Sequence, residues 1–410
     1  MKGATQTDAV GRRDADTSNA ALLQNANFDF KDSQTGYLTH SLHPYPAKFI
    51  PQIPARLIRE LSNEGDMVAD VFCGSGTTLV EALLLNRSAM GFDANALACL
   101  ITRAKTNRLV PGDAALLLSL VAKAKDLAER LIKAGKSLFY PSEVFTSTAP
   151  RPSGEALDFW FEPFVIEELA EILSWCKALP TESARTVALV AFSSIIVAAS
   201  KQDSDTRYVR REKNIKPGEA INRFSRALES AVIAVNEFSG RLRPNLRCKV
   251  MHANILEQPA SQPFDLMVCS PPYPNAFSYH LYHMTRMIWL GMDQPKFKRE
   301  EIGSHRKYSA KGPNGATAET FRDEMRAILA WVRTHLKAGG FACFVVGDST
   351  IRNERINNAD LIAAAAQCEG FKEVARPTRV LQVTKKAFNP VIGKIKDEKI
   401  LILQNCGETI

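Results

Sequence analysis

The sequence predicts an α/β fold built on an open sheet, with the functional residues gathered at one sheet edge. Three stretches lead to that reading. The apolar strand Met67-Val68-Ala69-Asp70-Val71-Phe72 runs into Cys73-Gly74-Ser75-Gly76-Thr77-Thr78 and then a helix expected over Leu79 to Leu85. A second strand, Ala89 to Phe92, ends in Asp93. A third, Leu266 to Cys269, runs into Ser270-Pro271-Pro272-Tyr273. Strand, glycine turn, helix and strand make a βαβ unit. Sheets of this kind bind ligands beyond the carboxyl ends of their strands.

The glycine turn comes first in the chain. Glycines between strand and helix let the backbone approach a ligand closely, and the helix N-terminus offers unpaired N–H groups. An acidic residue about twenty positions further on is the usual ribose acceptor of nucleotide-binding units, and Asp93 stands there. There is no third glycine and no following lysine, so neither the dinucleotide fingerprint nor a phosphate P-loop is satisfied. A helix over Ala94 to Asn107 closes this half, and Pro111-Gly112 breaks the pattern.

The third strand ends abruptly. Two adjacent prolines lack N–H groups and have fixed φ, so they cannot continue a ladder. The expected result is a hydroxyl, free carbonyls and an aromatic ring together at a strand's end. Such a group can accept hydrogen bonds from an exocyclic amine and stack on the ring that bears it. Upstream of the first strand, His43-Pro44-Tyr45-Pro46-Ala47-Lys48-Phe49-Ile50-Pro51 reads as a proline-rich entry loop before a helix over Ile53 to Leu61.

These three segments resemble, in order, the motifs of the S-adenosylmethionine-dependent DNA amino-methyltransferases, which methylate cytosine N4 or adenine N6. The resemblance covers roughly residues 38–107 and 248–405. It implies a Rossmann-like class I methyltransferase sheet with a closing antiparallel strand pair, S-adenosyl-L-methionine as cofactor and double-stranded DNA as partner. Ser-Pro-Pro-Tyr is similar to the cytosine-N4 branch, since the adenine-N6 branch more often begins with Asp or Asn. By the resemblance Ser270, Pro271, Pro272 and Tyr273 are catalytic. Lys48, Phe49, Asp70, Phe72, Cys73, Gly74, Ser75, Gly76, Thr77, Asp93, Ala94 and Asn254 would hold the cofactor, Asp70 near the methionine amine and Asp93 on the ribose. Asn254 occupies the adenine-contacting place, where Asp is commoner. Phe388-Asn389-Pro390 and Gly393-Lys394 resemble a late motif near the target base. A cognate restriction endonuclease or defence protein is a further expected partner. Adenine-N6 transfer, RNA guanine-N2 transfer and an inactive DNA-binding relative stay open as alternatives.

Between the two motif-bearing halves the periodicity is helical. Ala114 to Ala134, Phe161 to Leu179, Glu182 to Ala199 and Gly218 to Phe238 show apolar spacing of three and four. The expected layout is a loose arm over 1–35, a catalytic domain over 36–112 and 245–410, and a helical insert over 113–244 that contacts DNA. Ser200 to Tyr208 is expected as a polar loop. The chain has 410 residues, 45% hydrophobic, a net charge of +8 and a sequence pI near 9.0. Between Lys201 and Val250, twelve Lys and Arg face six acids. A second basic cluster holds Lys296, Lys298, Arg299, Arg306, Lys307 and Lys311. An excess of this kind favours a polyanion partner. Lys201, Arg207, Tyr208, Arg210, Arg211, Arg306 and Lys307 are the candidate DNA contacts.

The eight cysteines are scattered, as buried apolar residues of a reducing cytoplasm would be. No apolar run is expected to span a membrane, the longest being Val187 to Ala199. Phe277 and Tyr279 lie close enough to the catalytic loop to wall a base pocket. His280 and His283 have helical metal spacing without further ligands, and no metal is expected. The helix over Phe321 to Leu336 is expected to end at Gly339-Gly340, followed by strands at Phe341 to Val346, Thr378 to Thr384 and Lys399 to Leu403.

Overall fold

A computed structural model describes residues 20–134, 145–274, 277–310, 315–381 and 397–407. Lys311 and the late motif at Phe388 to Lys394 lie outside the described residues.

The main sheet contains β1 (Met67–Asp70), β2 (Ser88–Asp93), β3 (Cys248–His252), β4 (Phe264–Cys269), β5 (Leu336–Gly347), β6 (Phe371–Ala375), β7 (Thr378–Val380) and β8 (Asp397–Asn405). Its order is β6-β8-β5-β4-β1-β2-β3, with β7 paired to β8 off this path. From β3 across to β5 every pairing is parallel. β8 runs antiparallel to β5, β6 and β7. The order reverses beside β1, between β4 and β2, which is where a doubly wound sheet opens a ligand crevice.

Both faces of this sheet are covered, so its central strands are apolar throughout. Leu266, Met267, Val268 and Cys269 of β4 are all buried, as are Ala342 to Val346 of β5. Alternate residues serve opposite faces. Ala69, Met267, Cys269, Phe344 and Leu401 share one core with the helices Ala318–His335 and Asn358–Cys368. Val68, Leu266, Val268, Cys343 and Ile402 share the other with the helices Gln52–Leu61 and Thr77–Leu84. That alternation is the period-two geometry of a strand.

Four long helices form the insert: Pro111–Ala134, Pro163–Lys177, Glu182–Ala199 and Glu219–Gly240. Pro111 does not interrupt a helix. It starts one, because the first helical position needs no N–H donor. The buried carboxylate of Glu168 accepts from the backbone N–H groups of Gly218, Ala220 and Ile221 at 2.6, 3.1 and 3.2 Å. It thereby satisfies donors at the start of the helix Glu219–Gly240. The insert's core also takes in Trp289 of the helix Met284–Leu290, edge-on to Phe161 and Phe192. Helix Glu182–Ala199 has 18 residues and a mean hydropathy of 1.5, which is long and apolar enough to cross a membrane by length and composition, contrary to the expectation. Of its residues, 61% are buried inside the protein, where they form part of the insert's core.

Three further expectations are corrected. Residues 20–35 are not a loose arm: Ala20, Leu23 and Phe28 are buried against the sheet's helical cover. Gln24 Oε1 and Asp29 Oδ1 also accept from the backbone N–H groups of Arg376 and Val380, at 2.7 and 2.8 Å. Ser200 to Tyr208 is not a loop but belongs to a hairpin, Gln202–Ser204 paired with Arg207–Arg210. The helix Ala318–His335 ends directly into β5 with Leu336 extended, so Gly339 and Gly340 lie within the strand rather than at a cap. Finally, β6 was not anticipated, because Phe371 to Ala375 shows no clean alternation at an edge position.

Candidate active site

Backbone geometry makes the glycine turn. Gly74 and Gly76 have φ of +48° and +80°, the left-handed region that disfavours side chains. A Cβ on Gly76 would stand 2.8 Å from the Thr102 methyl, so Gly76 also allows the helices Thr77–Leu84 and Ala96–Lys105 to meet. Gly74 faces the Tyr45 ring, 3.5 Å from where a Cβ would sit. The turn is fixed from β2: the Gly74 N–H donates to Asp93 Oδ2 and the Asn95 N–H to Asp93 Oδ1, each at 2.8 Å.

Above the carboxyl ends of β1, β2 and β4 lies a cavity of about 410 Å³. Its lining includes Lys48, Phe49, Phe72, Cys73, Gly74, Ser75, Thr77, Asp93, Ala94 and Asn254, together with Ser270, Pro271, Pro272 and Tyr273. The glycine turn and the proline loop, about two hundred residues apart in sequence, therefore share one chamber. Phe277 and Tyr279 line it as well.

Two expected cofactor residues do not reach the lining. Gly76 lies behind the turn, packed on Thr102. Asp70 is buried beneath it and accepts from the Phe72 N–H at 3.0 Å, so the strand's last carboxylate supports the turn from below. Burial raises its pKa to about 7, against the lowering effect of bonds from Thr78 and Phe72. Burial likewise raises Asp93 to about 6, opposed by its bonds from Asn95 and Gly74.

The proline loop is held from β5 and β8. Tyr273 Oη lies 3.3 Å from both the Val345 carbonyl and Glu398 Oε1. Burial first, then the Glu398 charge, pushes the Tyr273 hydroxyl well above its ordinary pKa, so it stays a donor. Gly303 (φ +74°) presses on the loop: a Cβ there would meet the Tyr273 carbonyl oxygen at 2.7 Å. The segment before it adds Phe297, Glu300, Glu301 and Ile302 to the cavity wall. Glu301 accepts from the Tyr279 N–H and bonds His280 Nδ1, both at 2.5 Å. His280 is thus paired with a carboxylate. His283 stacks on Tyr45 at 5.1 Å.

Sequence reasoning missed Glu301, Arg379 and Glu398. No motif marks them, since long-range packing brings them to the wall. The DNA candidates divide. Arg207, Arg210 and Arg211 are exposed on the hairpin, each near an acid: Asp203 at 3.9 Å from Arg207 and 3.3 Å from Arg211, and Glu212 at 2.7 Å from Arg210. Tyr208 is exposed and edges on Tyr282. Arg306 is exposed, and Lys307 is paired with Glu324. Lys201 is corrected: its side chain is only 11% exposed and bonds Glu162 at 2.9 Å, which leaves the ammonium inside the fold. A long stem in an apolar wall buries well when its head is paired.

The residues fit a nucleoside-bearing cofactor on their own chemistry. Ser75 Oγ is buried at the wall with no hydrogen-bond partner among the described residues. Leaving such a hydroxyl unmatched costs about 1–3 kcal/mol, which a polar ligand would recover.

Sheet order, glycine turn and cavity define a doubly wound α/β protein of Rossmann-like fold with a ligand crevice at its topological switch point. Residues 17–103 match the family model described as DNA methylase. Type II methyltransferase M.MvaI of Kocuria varians is 28% identical across 65% of this chain, and the match spans 61% of that protein's own length. Type II methyltransferase M.MjaII of Methanocaldococcus jannaschii is 23% identical across 88% of this chain and 80% of its own. A solved methyltransferase from Pyrococcus furiosus has 9% identity and a TM-score of 0.33, covering 96% of this chain and 98% of its own. These similarities are to DNA methylases, and the family model accounts for the segment that holds the entry loop, the glycine turn and Asp93.

Proposed function

We propose that the chain methylates the N4 amine of cytosine in duplex DNA. The observation that carries this reading is the shared cavity, whose lining holds Ser270 to Tyr273 together with Gly74 and Asp93. When bound, S-adenosylmethionine supplies an electrophilic methyl on a sulfonium. Lys48, Phe49, Phe72 to Ser75, Thr77, Asp93, Ala94 and Asn254 are the residues proposed to hold it. Asn254 Oδ1 already accepts from the Leu256 N–H at 3.1 Å, so its amide N–H₂ is the end free to donate.

An aromatic amine is a poor nucleophile, because its lone pair is delocalised into the ring. Ser270 Oγ and the Pro271 carbonyl accept its hydrogens and favour tetrahedral nitrogen. Pre-placed acceptors of this kind act on charge that develops in the transition state. The resemblance of Ser-Pro-Pro-Tyr to the cytosine-N4 branch, with Ser where the adenine-N6 branch more often has an acid or Asn, supports cytosine as the base. Tyr273 and Phe277 offer ring faces for a base taken out of the duplex, a step that costs a few kcal/mol. Arg207, Tyr208, Arg210 and Arg211 of the hairpin, with Arg306 and Lys307, are proposed to meet the DNA backbone. Lys201 is withdrawn from that set. The Type II label of the relatives supports a cognate restriction endonuclease as partner.

Incubation of the full chain with unmethylated DNA and labelled cofactor, followed by nucleoside mass analysis, tests the reading. N4-methyldeoxycytidine is the expected product. N6-methyldeoxyadenosine alone would transfer the proposal to adenine.

A further inference from the structure

The cavity extends past the proline loop. In the sheet, β4 separates the cofactor-side strands β1, β2 and β3 from β5 and β8. Arg379 and Glu398 line the cavity on the β5–β8 side. They are directly opposed across the β7–β8 ladder, and Arg379 Nη1 donates to Glu398 Oε2 at 2.7 Å. Glu398 Oε1 is the oxygen that receives Tyr273 Oη. The pair is nearly buried, with side chains 11% and 13% exposed. Yet among the described residues Arg379 Nε has no hydrogen-bond partner. A buried ion pair normally uses all its donors. This one keeps an N–H in reserve beside the loop proposed to meet the amine.

We propose that Arg379 is the residue that selects the base, with its Nε–Nη2 edge donating to the N3 and O2 acceptors of an everted cytosine while Glu398 fixes the guanidinium. The inference rests on the N4-cytosine reading and adds the group that discriminates. Once Ser270 and Pro271 hold N4, the rest of the cytosine edge presents two acceptors side by side, N3 and O2. A guanidinium edge offers two parallel N–H groups and matches that spacing. Adenine offers a single acceptor, N1, next to a C–H, so one donor would stay buried and unmatched. A site built to satisfy a substrate's polar groups rejects a base lacking them far more strongly than a merely apolar pocket does. The amine-side residues alone cannot discriminate, because both bases present an amine.

The test uses the full chain with unmethylated DNA, wild type against Arg379→Gln and Arg379→Lys. Nucleoside mass analysis gives N4-methylcytosine and N6-methyladenine separately, and calorimetry gives cofactor affinity. Arg379→Gln is expected to keep cofactor affinity within about twofold while kcat/KM for DNA falls about tenfold or more. Arg379→Lys keeps the charge towards Glu398 but offers a point donor, so an intermediate loss is expected. A wild type making N4-methylcytosine, with Arg379→Gln within about twofold of it in kcat/KM, would overturn the inference and leave the cytosine reading intact. A wild type making only N6-methyladenine would overturn both. If Arg379→Gln loses cofactor binding, Arg379→Lys decides: wild-type kcat/KM in that variant overturns the inference, and a loss at unchanged cofactor affinity supports it.

Discussion

Gly74 donates its N–H to Asp93 Oδ2 at 2.8 Å, tying the end of β1 to the end of β2 across the crevice. The carboxylate therefore shapes the glycine turn and faces the cavity at once. Asp93→Ala is expected to raise the dissociation constant for S-adenosylmethionine by roughly tenfold to a hundredfold, the worth of one or two charge-assisted hydrogen bonds. Calorimetry reads this directly, and unchanged affinity would remove Asp93 from the site.

The same carboxylate predicts a pH dependence. Burial holds its pKa at about 6, above the ordinary 3.8. Between those values the folded state binds more protons than the unfolded state. Stability from this group is therefore present below about pH 4 and is lost as pH rises through about 6. Asp93→Asn should flatten that part of the stability profile, measured by denaturant unfolding from about pH 3.5 to about pH 7. Cofactor affinity should run the opposite way and weaken as pH falls through about 6, because a protonated carboxyl has fewer acceptors. A wild type and an Asp93→Asn variant with parallel profiles would sink both statements.

Ser270→Ala removes one acceptor proposed for the amine and touches no core packing. Turnover should fall about tenfold or more, with cofactor affinity nearly unchanged. Single-turnover methylation is the measurement, since it isolates the chemical step from product release.

Gly303 is placed where nothing larger fits. Its φ is +74°, and an added Cβ would approach the Tyr273 carbonyl oxygen to 2.7 Å and the Pro272 carbonyl carbon to 3.1 Å. Gly303→Ala should cost about 1–3 kcal/mol of stability and displace the proline loop. Thermal unfolding together with turnover tests it, and a variant equal to wild type in both would show that the two segments part readily.

Lys201 and Arg211 should separate in their effects. Arg211 is 73% exposed, and Lys201 is enclosed with Glu162. Arg211→Ala should lower the salt dependence of DNA binding by about one phosphate contact. Lys201→Met should change folding stability and leave that slope alone. Titrations at several salt concentrations decide between the two roles.

The sequence by itself carried the βαβ unit, the glycine turn, Asp93 and the proline loop. Each of these is a local signal: glycine and proline restrict the backbone where they stand, and strand apolarity follows from burial on both sheet faces. The long helices were legible to within a few residues for the same local reason, whereas the short ones at Glu155–Trp160, Gln294–Glu300 and His305–Ser309 were not. Edge strand β6, the hairpin at Gln202–Arg210 and the packed segment over 20–35 were not, because pairing partners far away in the chain decide them. Only the tertiary structure withdrew Asp70 and Gly76 from the cavity wall and Lys201 from the surface. Only it brought Arg379 and Glu398 beside Tyr273. A backbone turn is written in the residues that make it, whereas the neighbours of a side chain are set by the register of strands and the closure of a core.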